Sequence, residues 1–351
     1  MEKKQLQLIK SALPKHSILP IIENVLIADG FLVVTDLETT VTLPFRHVNM
    51  PMCIEAKKFI TAMEIMPDAM ISGQSTDEGF KTTFEQGSKK ITISGDDTGK
   101  YPETPSAFPA DDPEMLLIGA ITEQELPLVK SALQFVTNDD LRPAMTGIYF
   151  NKTEICSTDA HRLYWRKIPN MNQDFIMPAK TAKILLQAGG DWKVYYRKKA
   201  DEKQQYAATL CTMIREDGTA ISFRPIEAQF PNYKNVIPDF KKSTGNVTLY
   251  KKELIKELSN ALKFANPETN QVLFSINGKT TIQSQDIDLA HEYQTEIQSK
   301  ITGDSITFAL NGKLLSDIVA MCGDNLNVIY FNPLCGFIID KQFLIMPLMI
   351  K

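Results

Sequence analysis

The 351-residue chain has little of what usually carries catalysis or metal binding. Its four histidines, His16, His47, His161 and His291, are scattered, with no metal spacing and no H-E-x-x-H. There is no P-loop, no G-x-G-x-x-G and no G-x-S-x-G. Ser157, Asp159 and His161 lie close together, but neighbours along a chain do not make a triad by that fact. The expectation is a protein with no catalytic residues, no cofactor and no metal. The five cysteines, Cys53, Cys156, Cys211, Cys322 and Cys335, are odd in number and form no C-x-x-C. A disulfide framework or zinc ribbon is thus not expected, and reduced, mostly buried thiols of a cytoplasmic protein are. No apolar run approaches the ~20 residues needed to span a bilayer. Met1-Glu2-Lys3-Lys4-Gln5 is polar and opens a helical pattern, unlike a secretory signal.

What is present is an ordinary globular composition, 43% hydrophobic and 23% charged, with a formal charge of −4. The length suits two or three domains. An acidic chain does not coat nucleic acid with its whole surface, although a local basic face is compatible with that charge.

Self-comparison is the informative step. Leu6-Gln7-Leu8-Ile9-Lys10-Ser11-Ala12-Leu13 returns as Leu126-Pro127-Leu128-Val129-Lys130-Ser131-Ala132-Leu133, and more weakly as Leu254 to Leu262. A strand ending in Thr-Asp occurs at Phe31 to Asp36 and at Glu154 to Asp159, with a third counterpart at Thr280 to Asp286. A second helical stretch appears as Ala56 to Met63, Ala179 to Leu186 and Asn311 to Ile318. Tyr101-Pro102-Glu103 and Phe230-Pro231-Asn232-Tyr233 close the first two units. The spacing, roughly 110–130 residues, is far beyond that of a solenoid. Three homologous domains are expected, at 1–113, 114–240 and 241–351, with boundaries in polar or proline-bearing stretches.

Each unit reads as helix, strands, helix, strands. Leu6, Ile9 and Leu13, flanked by Leu8 and Ala12, make one buried helical stripe. Lys90-Ile91-Thr92-Ile93-Ser94 alternates as a half-buried strand does. Asp29-Gly30, Asp217-Gly218 and Asn277-Gly278 mark turns. The class is α+β, with two helices per unit packed on antiparallel sheets.

Lysine concentrates on the helices: Lys57, Lys58, Lys130, Lys180, Lys183, Lys251, Lys252, Lys256, Lys263 and Lys313. If the helices line one side, that side offers a sequence-blind phosphate-binding field. Solvated helix faces account better for any single lysine, and about equally well for the group.

Several segments resemble a known family. They are Ile18-Leu19-Pro20-Ile21-Ile22-Glu23-Asn24 with Val34-Thr35-Asp36-Leu37-Glu38, then Leu141-Arg142-Pro143-Ala144-Met145-Thr146-Gly147-Ile148-Tyr149-Phe150 leading into Ser157-Thr158-Asp159-Ala160-His161-Arg162-Leu163. Phe230 to Pro238 and the terminal Leu344-Ile345-Met346-Pro347-Leu348-Met349 follow. In order, through nearly the whole chain, they resemble the bacterial DNA polymerase III beta subunit, the sliding clamp.

The resemblance implies a ring-forming head-to-tail homodimer with helices facing duplex DNA, held without sequence preference. It implies a processivity factor with no activity of its own, working in the bacterial cytoplasm and at the nucleoid during replication. Implied partners are the DNA polymerase III alpha subunit, the clamp loader and other proteins carrying a clamp-binding motif, with no membrane. A partner-peptide pocket would use Thr158, Ala160, His161, Arg162, Leu163, Pro231, Asn235, Val236, Leu344, Met346, Pro347, Leu348 and Met349. Met and Leu give it adaptable walls, and Thr158 and Arg162 are candidates for orienting the peptide. The bland alternative makes Met346 to Ile350 the buried face of a last strand, with His161 and Arg162 stabilising a turn. Arg142, Lys15 and His16 match DNA-facing positions, joining Lys57, Lys130, Lys180, Lys183, Lys252, Lys256 and Lys313.

The chain departs from the family in places. The first domain is expected to lack the strand that usually precedes the first helix, and the loop from Pro14 to Ile18 is short. Ala160 replaces a glycine, a mild change if the backbone there has negative φ. Asn235 and Met349 stand where a basic residue is common. The missing strand motivates an alternative: a non-encircling or decoy clamp that binds partner peptides without being loaded on DNA.

Overall fold

The computed structural model describes residues 1–351 except 15–16, 18, 46–47, 78, 105–107, 109–111, 170, 198–208, 287–289 and 351. The described residues contain six α-helices: α1 (Lys3–Ala12), α2 (Ala56–Ile65), α3 (Leu126–Ala132), α4 (Ala179–Ala188), α5 (Lys251–Leu262) and α6 (Gly312–Met321). They come two to each repeat, and antiparallel strands make up most of the rest. The fold is α+β. None of these helices is long and apolar enough to cross a membrane.

The helices form for local reasons. In α1 the Glu2 amide donates to Gln5 Oε1 at 3.1 Å, closing the first turn, and Pro14 follows its end. Leu6, Leu8, Ile9 and Ala12 are its buried face, and Lys3, Lys4 and Lys10 are exposed. The third copy of the second helix starts at Gly312. Asn311 is its cap, accepting from the Lys313 and Leu314 amides at 3.1 Å each. The alignment by sequence was therefore one residue early there. The Asp29-Gly30 turn has positive φ at both residues, 51° and 82°, the twist that joins two paired strands tightly.

The chain groups into two compact units, with the middle third of the sequence contributing to both. The first holds residues 1–130, 148–154 and 168–227. Its sheet has eleven strands, and α1 packs on α2 and α4. Within that sheet Thr39–Pro44, from the first repeat, pairs antiparallel with Ala220–Phe223, from the second. The other unit holds residues 131–147, 155–167 and 228–351, and α5 packs on α6. Its sheet sets Arg162–Lys167 beside Phe343–Ile345, then Phe337–Ile339, Asn325–Tyr330, Gly245–Tyr250 and Ser299–Gly303. A second sheet orders His291–Ile297, Thr280–Asp286, Gln271–Ile276 and Ile306–Asn311. Each unit thus contains one join between strands of successive repeats, which satisfies edges that would otherwise stay open.

Both cores are apolar, and each fully buried Leu, Ile or Phe contributes about 1.5–3 kcal/mol. Cys53, Cys211 and Cys322 are buried free thiols, Cys156 is buried, and Cys335 is half-buried. Burial holds the Cys53 thiol up at about 11, so it stays protonated.

Candidate functional site

The site in the second unit starts from the turn at Thr158-Asp159-Ala160-His161-Arg162. Thr158 Oγ1 accepts from the Ala160 amide at 3.1 Å and donates to the Arg162 carbonyl at 2.7 Å. Asp159 Oδ1 accepts from the His161 and Arg162 amides at 3.0 and 2.7 Å. Ala160 is held at φ 72°, so its backbone is left-handed and the glycine replacement is strained. A mild substitution would have needed negative φ.

Arg162 is only 7% exposed. Its Nε donates to Asp159 Oδ2 at 2.9 Å, and its Nη2 lies 2.9 Å from the same oxygen. Nη1 reaches Asp317 Oδ2 at 2.9 Å and the Leu314 carbonyl at 3.4 Å, both on α6. Nη2 reaches the Gln134 carbonyl at 3.2 Å, and the guanidinium carbon sits 4.9 Å from the Phe135 ring centre. All its donors are committed within the unit. Arg162 and Thr158 therefore hold the turn, contrary to the expectation that they orient a peptide.

Strand pairing then builds the pocket floor. Leu163 pairs with Leu344, and Arg162 and Tyr164 pair with Ile345 and Phe343. Alternation sends Tyr164 and Phe343 to one face, where they stack with Phe135 at centroid distances of 5.4–5.8 Å. Burial pushes the Tyr164 hydroxyl up to about 12. Leu163 and Leu344 go to the opposite face and floor a cavity of about 260 Å³. Just past the strand, the Met346 amide donates to the His161 carbonyl at 2.9 Å.

Nine expected residues line this cavity: Thr158, Ala160, His161, Arg162, Leu163, Pro231, Val236, Leu344 and Met346. Met145, Asn232 and Tyr233 also line it. All three lay inside the resembling segments, but nothing in their type or spacing turned them toward one hollow. Asn235, Pro347, Leu348 and Met349 do not line it. Leu348 bonds away, its amide donating to the Ala309 carbonyl at 2.8 Å, and Met349 is 82% exposed. The last strand ends at Ile345, so Met346 to Ile350 is not the buried face of a strand.

Of the expected DNA-contacting residues, Lys57, Lys130, Arg142, Lys183, Lys252, Lys256 and Lys313 are exposed. Lys256 pairs with Glu257 at 2.9 Å, and Arg142 lies 3.5 Å from Asp139. Lys180 is engaged elsewhere. Its ammonium pairs with Asp36 and donates to the Ala12 and Leu13 carbonyls at 3.2 and 3.4 Å, capping the negative end of α1. Lys15 and His16 lie outside the described residues. No group of His, Cys, Asp and Glu among the described residues has the arrangement of a metal site.

These features define a class: repeated two-helix α+β units joined strand to strand, with an apolar hollow beside a Thr-Asp turn. Solved structures give the class its name. A DNA polymerase III beta subunit from Thermotoga maritima matches with TM-score 0.82 at 18% identity, covering 99% of this chain and 97% of that one. The Streptococcus pyogenes beta subunit matches with TM-score 0.82 at 15% identity, covering 98% and 96%. A Pseudomonas aeruginosa sliding clamp bound to griselimycin matches with TM-score 0.80 at 19% identity, covering 99% and 96%. No family model and no curated protein matches the chain. The chain has the DNA polymerase III beta sliding-clamp fold, at low sequence identity to these structures.

Proposed function

We propose that this chain is a sliding clamp: a head-to-tail homodimeric ring around duplex DNA that tethers a replicative polymerase and other replication and repair proteins. It is not itself a catalyst. Its repeats, bounded near residues 113 and 240, act as three domains per subunit. Exposed lysines on the helices and Arg142 give weak, sequence-blind phosphate contacts, which suit a ring that must slide. The cavity on Leu163 and Leu344 receives an apolar side chain from a partner's linear peptide, with exposed Val236 and Met346 as its adaptable rim.

The observation that carries this reading is that cavity. Its apolar floor lies beside a turn whose Thr158, Asp159 and Arg162 side chains are all bonded within the unit, in a fold shared with sliding clamps. Light scattering on the eluted protein is expected to give twice the chain mass. Clamp-loader-dependent retention on nicked circular DNA is expected to vanish when the circle is cut. A stable monomer, or retention on the linear product, refutes the ring. Met346→Asp with Val236→Asp is expected to abolish binding of a polymerase-tail peptide, and unchanged affinity refutes the pocket.

A further inference from the structure

The first unit repeats the architecture of the pocket with different chemistry. Thr35 Oγ1 accepts from the Leu37 amide at 3.0 Å, and Asp36 Oδ1 accepts from the Glu38 and Thr39 amides at 3.1 and 2.7 Å. Leu37 is left-handed at φ 76°, as Ala160 is in the other unit. Thr39 pairs with Phe223 and Thr40 with Ser222, and the Arg224 amide then donates to the Glu38 carbonyl at 3.0 Å. Bond for bond, this is the scaffold of the turn at Thr158 with its following strand pair and the Met346 amide. It therefore fixes a correspondence. The floor pair Leu163 and Leu344 becomes Thr40 and Ser222, and the rim residue Met346 becomes Arg224.

A cavity of about 420 Å³ stands at this position, bordered by those residues and by Glu103 and Arg197. The floor hydroxyls are occupied: Thr40 bonds Thr35 at 2.9 Å, and Ser222 bonds Thr212 at 3.0 Å. The guanidinium groups are not fully used. Arg197 Nη1 bonds Asp112 at 2.6 Å, but its buried Nε has no acceptor among the described residues. The exposed Arg224 side chain has no ion pair or hydrogen bond among the described residues.

We propose that this cavity is a second peptide site, taking a segment that carries a carboxylate. A carboxylate accepts two parallel bonds from the exposed Arg224 fork, and the Arg197 guanidinium borders the same hollow with a second positive charge. Exposed Glu38 and Glu103 border the same hollow. They repel a polyanion such as nucleic acid but accept hydrogen bonds from a peptide's backbone amides. The two units thus divide recognition, with one accepting apolar side chains and the other an acid. The proposal rests on the peptide-pocket reading of the second unit only for the correspondence.

The test uses the full chain with 15N-labelled arginine, the Arg197 and Arg224 Nε signals being assigned through the Lys variants. Three probes are titrated: acetyl-Ala-Ser-Glu-Ser-Ala-amide, its Gln counterpart and inorganic triphosphate. The Glu peptide is expected to shift the Arg224 signal saturably at millimolar concentration, and the other two are not. Arg224→Met, which installs the residue of the second unit, is expected to weaken Glu-peptide binding about tenfold. Met346→Asp is expected to leave it unchanged while abolishing polymerase-tail peptide binding, so the two readings fail separately. No saturable shift, equal binding of the Gln peptide, preference for triphosphate, or an Arg224→Met variant that binds normally overturns the proposal.

Discussion

Replacing Arg162 with Met tests how the pocket is held open. The change keeps much of the side-chain volume and removes every donor. Two carbonyls, of Gln134 and Leu314, lose a partner. Asp159, 14% exposed, keeps its two backbone donors but loses its counter-charge, whereas Asp317, 58% exposed, re-solvates. Breaking a buried ion pair from one side costs about 3–5 kcal/mol. Solvation of Asp317 puts this case at the lower end, roughly 3 kcal/mol, or about a hundredfold in the opening equilibrium of the unit. Hydrogen exchange read by mass spectrometry checks it, under conditions where exchange follows that equilibrium. Peptides covering 155–167 and 337–346 are expected to exchange about a hundredfold faster, and peptides covering 24–44 at their usual rate. Arg162→Lys is expected to fall between, since an ammonium has three donors where the guanidinium has five. Acceleration of less than about fivefold, or equal acceleration at 24–44, refutes the account.

Three further outcomes follow from local geometry. Ala160→Gly is expected to stabilise the second unit by about 0.5–1 kcal/mol in urea unfolding, because φ 72° is left-handed. A destabilised variant means the turn needs the methyl group. At Gly336 an added Cβ would lie 2.8 Å from Leu344 Cγ, so Gly336→Ala is expected to push that side chain into the cavity. It should weaken peptide binding about tenfold at a stability cost of about 1–3 kcal/mol, and unchanged binding shows that Leu344 yields another way. The Glu257 carboxyl is held down at about 2 by a hydrogen bond from the Tyr293 hydroxyl, then by Lys256 and Asn260. Since this lies below the ordinary value of about 4.3, its stabilisation is complete above that pH and is lost as pH falls toward about 2. Unfolding midpoints between pH 5 and 2 should therefore fall less steeply in Glu257→Gln than in the parent.

Sequence alone determined the repeat, the α+β class and the turn at Thr158 to Arg162. These rest on interactions among residues close along the chain: helix periodicity, strand alternation, and Asp and Thr side chains bonding amides two or three residues on. It also placed most of the pocket lining, because those residues sit in three resembling segments. Tertiary structure decided what each residue does there. Arg162 is a structural cation because Asp317, 155 residues on, meets it. Lys180 is spent on α1 because α1 ends beside it. Leu163 faces the cavity and Tyr164 the core because pairing with Phe343–Ile345 fixes which way the pleat points. Met349, three residues past the rim at Met346, falls outside because the strand stops at Ile345. The second hollow was invisible in sequence for the same reason. Thr40, Ser222 and Arg224 replace Leu163, Leu344 and Met346 only once strand register makes the positions equivalent. Short-range bonds are written in local order along the chain, whereas the partner of a buried charge or the facing of a strand depends on contacts that folding alone creates.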